Sequence, residues 1–289
     1  MTWAAPDLRG RVAVVTGASR GVGRGIALVL GECGATVYVT ARSTRAHARG
    51  DTAGPGTVED TADAVTARGG RGIAAPTDHT DDARTAALFA RVDDEQRGRL
   101  DLLVANAWGG YEGNALAGFT APFWEQPLER WDAMFTAGLR AQFCAAAPAM
   151  VRNRSGVIVV TGGTDLPGHY LGNVPYDTVK AAASRLVVGL ARELREHGVA
   201  AVGVYPGFTR TEAVVAAFAA QGADPPPETH SPEFVGRAVA AVLADPDRMR
   251  LSGTGAQAAD HAARYGFTDT DGRTIAPFAL SDEFRLTPS

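Results

Sequence analysis

The chain alternates short, β-branched runs with longer amphipathic stretches along most of its length. This alternation is typical of βαβ units, in which parallel strands are joined by crossover helices. Several of the runs are apolar almost throughout, as strands covered by helices on both faces must be. The pattern therefore predicts an α/β fold, built on a doubly wound parallel sheet with helices on both faces.

The bounds of the predicted elements follow from these runs. The strands are Val12–Thr16, Thr36–Ala41, Gly72–Ala75, Leu100–Ala105, Val157–Thr161 and Ala200–Tyr205. The helices are Val22–Cys33, Val58–Arg68, Asp82–Arg97, Leu128–Val151, Tyr176–Glu196 and Pro232–Leu243. We expect a single domain over residues 1–289, with a substrate-side loop and helix insertion at about 208–231 and a C-terminal tail at 265–289.

Composition narrows the classes of function. The 289 residues carry a formal net charge of -4, so a nucleic-acid surface, which needs clustered Lys and Arg, is not expected. The two cysteines, Cys33 and Cys144, fall in segments with a helical pattern and suggest neither a disulfide framework nor a metal site. The N-terminus lacks a signal-peptide layout, and no apolar run is long enough for a membrane span. We expect a cytoplasmic protein with no nucleic-acid or membrane partner.

The segment VVTGASRGVGRG places Gly17, Gly21 and Gly23 directly after the first predicted strand and at the start of the first helix. Glycines let the backbone turn tightly and approach a pyrophosphate, whose charge then faces the helix N-terminus. The alternative is a strand-to-helix turn without a ligand. Because strand, loop and helix are in register, the segment favours nucleotide binding.

The spacing T-G-x-x-x-G-x-G, preceded by LRGRVAVVTG, resembles the short-chain dehydrogenase/reductase superfamily. The resemblance continues through Asp78, LDLLVANA, a Tyr-Lys pair and YPGFTRT, and covers roughly residues 8 to 211. It implies a Rossmann-type fold and a nicotinamide cofactor. The cofactor-binding positions implied are Gly17, Ser19, Arg20, Gly21, Val22, Gly23, Arg42, Asp78, Asn106, Ala107, Tyr176, Lys180, Pro206, Gly207 and Thr211. In similar enzymes the residue at Asp78 caps the adenine, those at Asn106 and Ala107 line the adenosine side, and the turn containing Thr211 meets the nicotinamide carboxamide.

The charge at the end of the second predicted strand bears on which nicotinamide is bound. An acidic residue there would accept hydrogen bonds from the ribose hydroxyls of NAD, but this strand ends VYVTAR. Arg42 stands just beyond the strand and Arg20 lies inside the glycine loop, so two guanidinium groups could hold a 2′-phosphate. The alternative is two solvated surface arginines. The sequence favours NADP(H).

Tyr176 and Lys180 are four residues apart, so both side chains leave the same face of a predicted helix. A nearby ammonium favours the phenolate and lowers the pKa of the tyrosine, which can then work as an acid or base near neutral pH. An isolated Y-x-x-x-K is no more than an ordinary helix start, but this one follows a strand and a loop in a chain with the glycine motif. In the family, the lysine also hydrogen-bonds the nicotinamide ribose.

Two positions depart from the family pattern. The catalytic serine is expected thirteen residues before Tyr176, where this chain has Gly163. Thr164 can supply an equivalent hydroxyl and is the candidate third catalytic residue, against the alternative of a turn threonine. The relay asparagine of the fourth helix is replaced by Gly138.

A branch of the superfamily, that of the mammalian dehydrogenase/reductase member one, also has glycine at the relay position. It shares FWE, NVPY and RYGF…DGR, which here are Phe123–Glu125, Asn173–Tyr176, Arg264–Phe267 and Asp271–Arg273. Its relatives are read as NADPH-dependent carbonyl reductases, so loss of the asparagine need not end catalysis. That branch has serines where this chain has Gly162 and Gly163.

Substrate walls are expected from loops at the carboxyl ends of the strands. The candidates are Trp108, His169, Tyr170 and Phe208, with Tyr111, Phe123 and Trp124 nearby. These aromatic side chains favour an apolar or aromatic carbonyl or alcohol, although each could instead pack on its own loop. Trp108 stands where the family has a small glycine, and it either narrows the entry to the nicotinamide or covers the core.

The sequence therefore predicts an NADP(H)-dependent carbonyl reductase or alcohol dehydrogenase. In that reading Tyr176 exchanges the proton, Lys180 tunes it, and Thr164 or a backbone amide polarises the substrate oxygen. The resemblance implies a homodimer or homotetramer. The alternative is a non-catalytic NADP(H)-binding protein acting as a sensor or scaffold, for which Gly163 and Gly138 are the arguments.

Overall fold

A computed structural model of the protein describes residues 3–47, 56–110, 119, 121–142, 147–163 and 170–279. Within these residues, seven parallel strands form one sheet in the order β3-β2-β1-β4-β5-β6-β7. The strands are β1 Val12–Thr16, β2 Thr36–Ala41, β3 Arg71–Pro76, β4 Leu102–Ala105, β5 Gly156–Val160, β6 Val199–Tyr205 and β7 Gly255–Gln257. The predicted doubly wound α/β fold is confirmed.

Helices cover both faces of this sheet. They are α1 Gly21–Glu32, α2 Val58–Ala67, α3 Asp82–Glu95, α4 Leu128–Gly138, α5 Ala147–Asn153, α6 Val174–Leu194, α7 Glu212–Ala219, α8 Pro232–Ala244 and α9 Ala258–Tyr265. None of the helices in the described part of the chain is long and apolar enough to cross a membrane.

The core divides into two layers because successive strand residues point to opposite faces. In β1, Ala13 and Val15 join the layer under α1 and α8, whereas Val12 and Val14 join the layer under α3 and α6. All four side chains are buried. The continuous apolar runs of the sequence are thus explained by burial on both sides of the sheet.

The single helix predicted at Leu128–Val151 is wrong. The structure ends α4 at Gly138, follows it with a short 3₁₀ turn at Arg140–Gln142 and begins α5 at Ala147. Leu139 leaves the helical region with φ -129° and ψ -60°. Glycine is a weak helix former, so this position is a natural end for α4.

The chain after β6 was only partly predicted. Helix α7 lies within the insertion expected at about 208–231, but β7 and α9 were missed. β7 is three residues long and contains no β-branched residue, so it carries little sequence signal. It pairs with β6 from Gly203 to Tyr205 and extends the sheet by one edge strand.

Part of the C-terminal tail folds back onto the sheet end. The Asp269 carboxylate accepts hydrogen bonds from the backbone N–H of Ser231, at 2.9 Å, and from its hydroxyl. The Gln257 side-chain amide pairs with the backbone of Phe278, accepting from its N–H at 2.6 Å and donating to its carbonyl at 2.9 Å. These contacts bring Phe278 to the edge where the strands end.

Candidate active site

The glycine loop joins β1 to α1 at the carboxyl edge of the sheet, and its shape excludes larger residues. A Cβ on Gly23 would lie 2.4 Å from the carbonyl oxygen of Gly17. Gly17 itself has φ +65°, and a Cβ there would lie 3.0 Å from the Cα of Ala107. The close approach of loop, helix and β4 leaves the backbone uncovered, as a bound pyrophosphate requires.

The N-terminus of α1 already receives an anion within the protein. Its cap residue, Arg20, makes no side-chain cap hydrogen bond, and the first turn contains no acidic residue. The backbone N–H of Gly21 donates instead to the carboxylate of Glu212, at 2.9 Å. A helix N-terminus favours negative charge, and this carboxylate stands in for a phosphate oxygen. The loop therefore fits a dinucleotide; buried Ser19 and partly buried Val22 flank it.

The two predicted arginines lie near the end of β2. The Arg20 guanidinium donates to the hydroxyl of Ser43, at 2.9 Å, and to the carbonyl of Gly56, at 3.2 Å. Ser43 directly follows Arg42 in the chain. Arg20 therefore reaches the residue that follows Arg42 at the end of β2.

Asp78 lies at the end of β3, close to the same corner. Its carboxylate accepts hydrogen bonds from the Thr80 backbone, at 3.0 Å, and hydroxyl, at 2.7 Å. The neighbouring His79 is buried, and burial lowers its pKa to about 4, with a smaller raising effect from Asp78 and a smaller lowering effect from Arg42. Asp78 and Arg42 therefore both lie near His79, at the corner where the adenosine end of a dinucleotide is expected.

Asn106 connects the glycine loop to two strands. Its side-chain amide donates to the carbonyls of Thr16, at 2.8 Å, and Gly17, at 3.3 Å, and its oxygen accepts from the Thr161 hydroxyl, at 3.2 Å. The backbone N–H groups of Asn106 and Ala107 both donate to the Thr16 hydroxyl. These hydrogen bonds hold Asn106 and Ala107 against the glycine loop.

The N-terminal turn of α6 holds Tyr176 and Lys180. Asn173 caps this helix by accepting a hydrogen bond from the Tyr176 backbone N–H at 2.9 Å, and Pro175 occupies the first turn, where its missing N–H costs nothing. The Lys180 Nζ lies 5.4 Å from the centre of the Tyr176 ring. Burial lowers the pKa of Lys180 to about 8. The Lys180 ammonium and the Tyr176 ring therefore lie side by side on one face of α6.

The predicted third catalytic residue, Thr164, lies outside the described residues, as do His169, Asp165 and Tyr111. Gly163 is described, and a Cβ there would lie 3.0 Å from the Cβ and Cγ of Lys180. The lysine stem therefore occupies the space beside this position. Thr161 does not replace the serine, because its hydroxyl is directed to β4, toward the Ala105 carbonyl and Asn106.

The loop before α4 covers Tyr176 through Phe119, a contact that was not predicted. The Phe119 ring meets the Tyr176 ring edge to face, with centroids 5.5 Å apart. The Asn173 amide donates to the Phe119 carbonyl, at 2.7 Å, and to the Gln126 side chain, at 2.9 Å. Gln126 in turn donates to the carbonyls of Phe119 and Ala121. The signal available was NVPY, whose buried Asn173 serves both helix and loop.

Trp108 also contacts Tyr176 and Lys180. Its ring meets Tyr176 edge to face, with centroids 5.7 Å apart, and the Lys180 Nζ lies 4.4 Å from the centre of the indole. The residue is only partly buried. Both predicted roles thus have a basis, since the indole packs inward yet borders the space beside Tyr176.

The Pro206–Gly207 turn follows β6 and is held from two sides. His230 Nε2 lies 2.6 Å from the Pro206 carbonyl oxygen, and a Cβ on Gly207 would lie 3.6 Å from the Cβ of Phe278. Thr211 caps α7 and lies beside the glycine loop, its Cγ2 being 3.6 Å from a Cβ built on Gly21. The segment that follows this turn therefore contacts the glycine loop.

The described part of the predicted substrate wall lies at this end. The Phe208 ring lies between Phe218 and Phe278, with centroids 6.4 and 6.1 Å away. Tyr170 is partly buried, and burial raises its pKa. Among the residues that the structure describes, no group of three His, Cys, Asp or Glu side chains is placed to hold a metal ion.

Comparison with known proteins agrees with this arrangement. The sequence profile of the short chain dehydrogenase family matches residues 11–222. Dehydrogenase/reductase SDR family member 1 of Mus musculus is 38% identical over 286 residues, which cover 94% of this chain and 87% of that protein.

Relatives differ in their cofactor. A metagenomic short-chain oxidoreductase solved in complex with NADP is 28% identical, with a TM-score of 0.65, over 84% of this chain and 94% of that one. An uncharacterised NAD-dependent oxidoreductase of Mycobacterium tuberculosis is 34% identical over 231 residues, which cover 74% of this chain and 78% of that one. The chain belongs to the short-chain dehydrogenase/reductase family, on the branch of dehydrogenase/reductase SDR family member 1, and is an oxidoreductase of the kind that uses a nicotinamide cofactor.

Proposed function

We propose that the protein is an NADP(H)-dependent oxidoreductase that interconverts an apolar or aromatic carbonyl and the corresponding secondary alcohol. The observation that carries the proposal is the position of Tyr176 and Lys180 on one face of α6, with the Lys180 Nζ 5.4 Å from the Tyr176 ring. Homodimeric or homotetrameric assembly in the cytoplasm, as a single domain, is part of the same proposal.

In this proposal, side chains of the protein transfer the proton and orient the substrate. The Tyr176 hydroxyl donates a proton to the carbonyl oxygen during reduction and takes it back during oxidation. The Lys180 ammonium stabilises the phenolate that remains, which makes that proton transfer possible near neutral pH. Thr164 or a backbone amide would polarise the substrate oxygen. When bound, the reduced nicotinamide supplies the hydride to the carbonyl carbon.

The preference for NADP(H) is proposed from charge. Arg20 reaches the end of β2 through Ser43, and Arg42 follows that strand directly. A guanidinium forms paired hydrogen bonds with phosphate oxygens, whereas it offers nothing comparable to an unmodified ribose. The strand end lacks the carboxylate that would select NAD.

The substrate class is proposed from aromatic rings near the site: Phe208 packs against Phe278, and Trp108 packs against Tyr176. Aromatic rings bury large apolar areas and stack against flat ligands, so they favour ketones and alcohols with an apolar or aromatic substituent. An anionic substrate group would lose hydration there without a partner among the described rings.

The test is a panel of aromatic and aliphatic carbonyls with NADPH, followed by the loss of NADPH absorbance. Tyr176→Phe should abolish turnover while NADPH binding, measured by calorimetry, is retained. Tyr265→Phe is the matched control, because its hydroxyl bonds to Asp245, away from the proposed site, and its turnover should be unchanged. Turnover that survives Tyr176→Phe would refute the mechanism. NADPH binding without turnover on any substrate would favour a non-catalytic protein instead.

A further inference from the structure

The Lys180 ammonium lies over the face of an aromatic ring. Its Nζ is 4.4 Å from the centre of the Trp108 indole, inside the range of about 6 Å over which a cation is attracted by the negative face of a ring. Trp is the side chain that holds a cation most strongly in this way. The same indole touches Tyr176 edge to face. Trp108 is therefore in contact with both members of the catalytic pair.

Two glycines make room for this indole. A Cβ on Gly138, at the end of α4, would lie 2.6 Å from indole atoms Cε3 and Cζ3. A Cβ on Gly110 would lie 2.6 Å from Cζ2 and from the Cγ of Met134. Real Cβ atoms do not approach other atoms this closely, so any larger residue at Gly138 would push the ring away from Lys180.

We infer that Trp108 is a positioning residue for Lys180. Its indole face holds the ammonium beside Tyr176, and Gly138 is present because it admits the ring. The inference rests on the proposed function, since it assigns Trp108 a part in the same proton transfer. It also explains two departures from the family pattern together. The large side chain of Trp108 occupies the space that the missing side chain at Gly138 leaves empty.

The groups around the Lys180 ammonium explain why the indole can position it. Burial disfavours the charged form of Lys180 and thereby lowers its pKa. The described groups that face Nζ are the rings of Trp108 and Tyr176, with the Gly163 backbone against the lysine stem. The indole face favours the charged form of Lys180. A carboxylate in its place would also favour the ammonium, but it would hold a proton close to the substrate.

The decisive comparison is Trp108→Phe against Trp108→Leu. Both variants remove the indole and leave an apolar residue, but only phenylalanine retains a ring face. The rise of alcohol-oxidation rate with pH, which reports loss of the Tyr176 proton, should move upward by about half a pH unit or more in the leucine variant and return toward the parent value in the phenylalanine variant. The NADPH dissociation constant, measured by calorimetry, should rise by about five-fold in the leucine variant only.

The Gly138→Ala variant tests the contact between the indole and Lys180 while Trp108 is retained. Its Cβ should displace the ring and shift the pH profile in the same direction as Trp108→Leu. Gly189→Ala is the matched control, because this glycine lies in α6 with nothing within 4 Å of its Cβ position, and its profile should match the parent.

Each outcome separates this inference from the proposed function. Equal pH profiles and equal NADPH affinities for Trp108→Leu and Trp108→Phe would show that the indole only fills space. An unshifted profile in Gly138→Ala would overturn the role of the glycine. Turnover that survives Tyr176→Phe would overturn the proposed function instead. Melting temperatures and circular dichroism identify any variant that fails to fold, and Gly138→Ala then carries the test.

Discussion

The Glu212 carboxylate accepts a hydrogen bond from the backbone N–H of Gly21, across 191 residues of sequence. The contact joins the first turn of α7 to the phosphate-binding loop. A negatively charged side chain thus lies where a negatively charged cofactor group is expected, and the two compete for the N–H.

Glu212→Gln should therefore strengthen NADPH binding. Removal of one negative charge beside the pyrophosphate should lower the dissociation constant by about three- to ten-fold at low salt, and less at high salt because exposed charges are screened. Titration calorimetry at two ionic strengths measures the effect. Glu193→Gln, an exposed position on α6, is the control. Unchanged or weaker binding in Glu212→Gln would contradict the competition.

Arg42→Ala should reduce the preference for NADPH over NADH. Loss of a charge-assisted, paired hydrogen bond should weaken NADPH binding by about ten-fold or more and leave NADH affinity almost unchanged. Ser43→Ala, which removes one of the hydrogen bonds that hold Arg20, should have a smaller effect of the same kind. Dissociation constants for both cofactors provide the measurement, with Arg84→Ala as an exposed control on α3. Equal affinities of the parent for NADPH and NADH would remove the basis of the prediction.

Lys180→Met should inactivate the protein and also stabilise it at pH 7. The pKa of Lys180 falls from 10.5 to about 8 on folding, so the folded state holds the ammonium at a cost below pH 8, and stability rises between about 8 and 10.5 as the folded protein releases the proton first. Methionine lacks this cost, and the expected gain at pH 7 is about 3 kcal/mol. Urea unfolding at several pH values should show the gain shrinking as pH approaches 10.5. A constant difference across that range would contradict the assignment.

Phe278→Ala should raise KM for an aromatic ketone several-fold while sparing a small aliphatic one. The ring contributes wall area beside Phe208, at 6.1 Å between centroids, and only a large substrate reaches it. Gln257→Leu should reproduce the effect, because it removes both hydrogen bonds that hold the Phe278 backbone. Phe278→Leu keeps most of the volume and should lie closer to the parent. Parallel changes in KM for both ketones would argue against a wall in this position.

The parts of the site that were predictable are encoded locally. Gly17, Gly21 and Gly23 form a loop by their spacing alone, and Tyr176 and Lys180 share a helix face because they are four residues apart. The apolar strands were also recognised, because burial on two faces leaves a continuous pattern in the sequence.

The parts that were missed depend on contacts between distant segments. Gly138, the last residue of α4, leaves room for an indole thirty residues earlier in the chain, and no periodicity within the helix indicates that contact. Likewise, an acidic residue in the first turn of a helix is favourable for purely local reasons, so the sequence around Glu212 does not indicate its contact with Gly21. Phe119 and Phe278 are single aromatic residues in loops, so their partners are fixed only by the fold.

Asn173 couples the covering of the site by Phe119 to the position of Tyr176 within it. Its oxygen caps the turn that carries Tyr176, while its nitrogen holds the carbonyl of Phe119, whose ring covers the same tyrosine. A ligand that pushes Phe119 aside therefore pulls on the cap of the catalytic helix. Substrates too bulky for the covered site should lose reaction rate as well as affinity, because the force that admits them is transmitted to the proton donor.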